Sequence, residues 1–151
     1  MFDAATAWQP GAALARLASN AWAYPALEVV HIVGIALLVG SLAVFELRVW
    51  GVAAALPAHD LARLALGVSL VGFALAAASG LTMFATQPGE LLVNPAFRIK
   101  LALLLLAGLN AALFHARAGV ARLDRCARWQ SLLSIGFWVG VIICGRSIAY
   151  V

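Results

Sequence analysis

One imidazole and a handful of charged groups stand where a chain this apolar has least room for them. His31 is the only ionisable residue among the seventeen that separate Glu28 from Glu46. With its flanks, that stretch is long enough to cross a hydrocarbon layer of ~30 Å at ~1.5 Å per residue. An imidazole in such a span has no water to solvate it and needs a partner in the protein, a metal or an aqueous cavity. Further along, Lys100 opens one apolar stretch and Arg146 closes another, while Met83 ends a third. If the stretches alternate up and down, the start of the first and third and the end of the second and fourth share one level. Glu28, His31, Met83, Arg98, Lys100, Arg146 and Tyr150 meet there.

Placing an ionisable group at mid-bilayer costs ~2.5–3.5 kcal/mol and less near the interface. Two readings follow. In one, Glu28 pairs with Lys100 or Arg146 and the long side chains reach outward to the headgroups. In the other, the level is a cofactor or ion site: His31 ligates a metal, Lys100 and Arg146 neutralise carboxylates such as haem propionates, and Glu28 and Met83 complete the surroundings. Met83 and Lys100 are then the candidates for a sixth ligand.

Glu46 sits beside Arg48 and reads as an interfacial ion pair or topology anchor. His115, at the far end of the third stretch, is the second candidate metal ligand, or a hydrogen-bond donor at the headgroup level. His31 precedes the middle of its helix and His115 follows the middle of a parallel one, an offset of ~18 Å at ~1.5 Å per residue. One iron cannot bridge that distance. His59, next to Asp60, reads as solvated. Ser41, Ser69, Ser79 and Ser134 lack a recognisable base and orienting acid, so hydrolysis is unsupported, and no P-loop or dinucleotide fingerprint occurs. No catalytic residue is assigned.

The elements that must position these groups are plain from composition. Hydrophobic residues make up 65% and charged residues 11% of the 151, with mean hydropathy +1.01, against soluble averages of about 45–50% and 25%. The expectation is an all-α polytopic membrane protein, one domain over residues 1–151, with spans at about 25–48, 64–86, 95–116 and 129–150. A short interfacial segment over residues 1–20 precedes them. Those residues show no signal-peptide pattern, so the first span is expected to direct insertion. Six arginines, Arg48, Arg63, Arg117, Arg122, Arg125 and Arg128, flank one side and four cations, Arg16, Arg98, Lys100 and Arg146, the other. That bias places the first side in the cytoplasm and both termini outside, in the periplasm of a Gram-negative inner membrane. The net charge of +4 reports topology and lipid headgroups rather than nucleic acid. Cys126 and Cys144 have no metal or disulfide spacing.

Stripes of small residues, Ser69, Gly72, Ala76 and Gly80 leading to Met83 in the second span, and Gly136, Gly140 and Cys144 in the fourth, let backbones approach closely. They read first as bundle packing and second as space for a flat cofactor, and they suit a homo-oligomer as well as a monomer.

The segments AYPALEVVHIVGIALLVGSLAVFELRVWG and NPAFRIKLALLLLAGLNAALFH resemble a family of small, uncharacterised four-span bacterial membrane proteins over nearly the whole chain. The landmarks are Glu28, His31, Glu46, Arg48, Lys100, Asn110 and His115. More distantly, a histidine in span one and a lysine opening span three resemble the membrane-bound, haem-containing protoporphyrinogen oxidase, and the apolar four-helix layout resembles copper-resistance membrane proteins. The resemblance implies haem b, or alternatively copper. The function expected is electron transfer with a quinone or a redox protein, as a membrane oxidoreductase component. A copper-handling or small-solute transport module and a structural accessory subunit are the alternatives.

Overall fold

The computed structural model describes residues 20–52, 54–117 and 119–150; the expected interfacial segment falls almost wholly outside them. Among the described residues every regular element is helical: α1 Ala23–Val49, α2 Ala58–Thr86, α3 Pro88–Val93, α4 Pro95–Ala116, α5 Gly119–Arg122 and α6 Arg125–Ser147. Four of them, α1, α2, α4 and α6, are long and apolar enough to cross a membrane. The chain is a multi-pass, all-α four-helix membrane protein. Its outward faces carry residues such as Ile32, Leu81 and Leu105 in the open, the surface a bilayer covers.

Helix ends follow local chemistry. Gly51, at φ +96°, ends α1 in a left-handed turn in which Val52 N–H donates to Leu47 O at 3.0 Å, a glycine C-cap. Asn94 accepts from Phe97 N–H at 3.1 Å and Pro95 follows at the first helical position of α4, where its missing N–H costs nothing. Asp124 caps α6 through Ala127 N–H at 2.8 Å. Two helices therefore begin earlier than the apolar runs alone suggest. α2 starts at Ala58 with Asp60 in its first turn, where a carboxylate favours the helix dipole. α6 starts at Arg125 and stops at Ser147.

The bundle is two antiparallel pairs, α1 with α2 and α4 with α6, joined chiefly where α1 meets α6. Glycine decides the first pair. A Cβ on Gly34 would lie 2.6 Å from Ala76 N and 2.8 Å from Gly72 O, and one on Gly72 would lie 2.5 Å from Leu38 N. The two backbones touch, the arrangement that association in lipid rewards. In the second pair, Gly140 lies under Leu103, whereas Gly136 faces open space; only part of the expected stripe packs. At one end Val49, Phe114 and Ala127 form a buried cluster, with Phe45 edge-on to Phe114 at 6.0 Å. At the other, Phe84 stacks on Phe97 at 5.5 Å, and Asn94 Nδ2 donates to Ile148 O at 3.3 Å.

Candidate functional site

Polar groups gather at two levels. The first is built on the α1–α2 contact. His31 Nδ1 lies 2.8 Å from Ala76 O and 3.0 Å from Ser79 Oγ, and Ser79 Oγ itself donates to Leu75 O at 2.6 Å. A carbonyl only accepts, so Nδ1 carries the hydrogen, and in the neutral ring Nε2 keeps the lone pair. The ring is fixed from a second side by Gly80, where a Cβ would approach Cε1 to 3.1 Å. Histidine ligands are commonly oriented in this way, with the other ring N–H given to a backbone carbonyl.

Lys100 of α4 is close enough to act electrostatically on His31. Its Nζ would sit 3.6 Å from a Cβ on Gly145 of α6, beside Cys144. Thus α1, α2, α4 and α6 each bring a group to this level. Met83, half-buried, stands one turn beyond Ser79 on α2.

The expected carboxylate pairing does not form. Glu28 is exposed, and among the described residues the ion pairs are His59–Asp60 at 3.9 Å and Arg117–Asp124 at 3.4 Å. Arg146 turns away to Tyr150, donating to its hydroxyl at 2.5 Å with the guanidinium 4.9 Å from the ring centroid. Glu28 lies one turn before His31 on α1, too exposed to be held by a second helix. Of the five candidates at this level, His31 and Lys100 converge; Glu28 and Arg146 remain at the rim.

The second level lies at the opposite end of the bundle. A cavity of about 80 Å³ opens between α1, α2, α4 and α6, with Glu46, Asn110, Gln130, Ser131 and Ser134 in its wall and His115 at its edge. Glu46 is only 6% exposed and takes a hydrogen bond from Ser134. This differs from the interfacial pair with Arg48 that its position suggests: Arg48 instead donates to Leu56 O and Ala54 O, closing the connection. His115 is exposed and its Nδ1 donates to Ala111 O at 2.8 Å in its own helix. His31 and His115 therefore sit at opposite ends, as their offset in sequence requires. Asn110 Nδ2 donates to Gln130 O at 2.9 Å, and Trp50 Nε1 to Ser131 Oγ at 3.1 Å. Sequence reasoning missed this cavity. The available signal was that Leu42, Phe45, Glu46 and Val49 recur at helical spacing, which puts the carboxyl on a packing face.

Among the described residues no group of three or more His, Cys, Asp or Glu side chains is placed to hold a metal ion. Comparison with protein-family models, with curated proteins and with solved structures finds no match to this chain.

Proposed function

We propose that the chain is a b-type haem-binding protein of the bacterial inner membrane, with Nε2 of His31 as axial ligand and Lys100 neutralising a propionate. The observation that carries this reading is the hydrogen bond from His31 Nδ1 to Ala76 O. It sets the tautomer and aims the free lone pair before any ligand arrives, which reduces the reorganisation that binding requires.

The reading is supported at the iron end by the oriented ring of His31 and at the acidic edge by Lys100 beside it. One imidazole suffices for haem, whereas copper asks for a set of soft donors, and the sequence holds two Met and two scattered Cys. Lys100 makes no ion pair among the described residues, which leaves its amine available to an anionic partner. Bound haem supplies one-electron chemistry. The chain's own part is to hold the ring through α2, to present a cation from α4, and to surround the site with apolar helix faces. Met83, one turn past Ser79, or Lys100 would supply a second ligand. A quinone or a redox protein is the electron partner, and the arginine-rich end faces the cytoplasm.

Expression with haem supplied, followed by haem quantification per chain, tests the reading. Stoichiometric haem in wild type that is lost in His31→Ala supports it; wild type without haem contradicts it.

A further inference from the structure

Glu46 is the least accessible ionisable group among the described residues, at 6% exposure, and nothing in the haem reading uses it. Among the described residues no cation pairs with it: the nearest charged side chain on its own helix, Arg48, is spent on backbone carbonyls of the following connection. A carboxylate in a low-dielectric interior without a counter-ion is costly, whereas a carboxylic acid with a hydroxyl partner is tolerated. The cavity beside it, about 80 Å³, has room for two or three waters at ~30 Å³ each, with Glu46 and Ser134 among the polar groups of a mostly apolar wall.

We infer that this cavity is a proton-exchange site, in which Glu46 takes up and releases a proton through enclosed water and His115 at the exposed edge. The surroundings suit a proton better than a metal cation. From α2 the cavity receives only Ala62, Ala65 and Leu66, and from α5 only Val120. From α6 it receives the uncharged Gln130, Ser131 and Ser134, and Gln130 Oε1 already accepts from Arg117 at 3.3 Å. That guanidinium at the rim repels a metal cation and leaves a neutral hydrogen-bonded path untouched. The titratable group facing Glu46 from α4 is His115, whose Nδ1 is committed to Ala111 O; its Nε2 is left to accept. In the exchange step the Glu46 O–H bond breaks and its electron pair stays on the carboxylate oxygen. The proton passes to a cavity water and from there to His115 Nε2, and the exposed imidazolium releases it to bulk water. No electrons move.

The site is independent of the haem reading, and the test is blind to haem. Infrared difference spectra of the intact protein in nanodiscs, stepped between about pH 5 and about pH 9, should show a protonated-carboxyl C=O stretch that appears and disappears with pH. Glu46→Gln removes it, Glu46→Asp displaces it, and Ser134→Ala moves it to higher frequency by removing the hydrogen bond. The Ser134→Ala shift assigns the band even if Glu46→Gln fails to fold. After a pH jump, His115→Ala slows the appearance of the band, and added imidazole restores the rate. A carboxyl band that is missing at every pH, or present but indifferent to pH, overturns the proposal. So does unchanged exchange in His115→Ala.

Discussion

His31 on α1 and Ser79 on α2 meet at 3.0 Å across the bundle's closest helix contact. Ten residues along α1 and ten back along α2, Ser41 and Ser69 meet at 2.7 Å. The two polar clasps bracket the glycine contact and fix one antiparallel register, so the imidazole is part of the packing before it is part of any chemistry. Local order at His31 is thus set by α2, and anything that shifts α2 moves the candidate ligand.

The glycine contact should be intolerant of a single methyl group. In Gly34→Ala the new Cβ meets backbone atoms at 2.6 and 2.8 Å, and backbone cannot step aside as a flexible side chain can. We expect a loss of about 1–3 kcal/mol in reversible unfolding from mixed micelles, together with loss of bound haem. Gly136→Ala, which meets nothing within 4 Å, serves as control and should lie near wild type. Equal behaviour of the two variants would show that the backbones do not touch.

The Ser41–Ser69 clasp should be worth less than its 2.7 Å separation suggests. Ser69 Oγ also donates to Ala65 O at 2.7 Å, so Ser41→Ala leaves it partnered. The expected cost is about 0.6 kcal/mol, the usual value for a hydrogen bond between membrane helices, measured in the same unfolding assay.

Gly51→Ala should destabilise the end of α1. Its φ of +96° lies where an L side chain is strained by about 1–2 kcal/mol, and no neighbour within 4 Å complicates the reading. Because the Gly51 turn lies beyond Arg48 and far from His31, haem content should be unaffected.

Lys100→Met should leave haem bound but lower its midpoint potential. A cation beside the group favours the reduced form, and removing it favours the oxidised one. The expected shift is about −60 mV, one tenfold change in a one-electron equilibrium, read by redox titration. A potential equal to that of wild type would remove Lys100 from the site.

Much of this architecture was legible in the sequence, and for a clear reason. Long charge-free runs such as Leu64–Thr86 leave a membrane span as the only economical reading, and the α4 start at Asn94 and Pro95 follows from capping chemistry. Helix starts were less legible where charges are solvated yet helical: His59, Asp60 and Arg63 read as a connection but form the first turns of α2. The His31 level was found through its lone imidazole, but its partner was not. Ser79 and Ala76 act through a hydroxyl and a backbone carbonyl, neither of which stands out in an apolar run. Glu46 reads as interfacial from its neighbour Arg48 and its place at the end of the span, and neither shows that its face packs towards Ser134 of α6. Depth alone points to Glu28 and Arg146 as site residues, but both side chains are exposed and Arg146 lies against Tyr150.

The proposed haem site stands on His31, and oxidised and dithionite-reduced absorption spectra of the detergent-purified protein test it most directly, with His31→Ala and His115→Ala measured in parallel. The prediction is a Soret band and a reduced α-band in wild type and in His115→Ala, both absent in His31→Ala. A colourless wild type prepared with haem supplied, or bands that survive in His31→Ala, would contradict it.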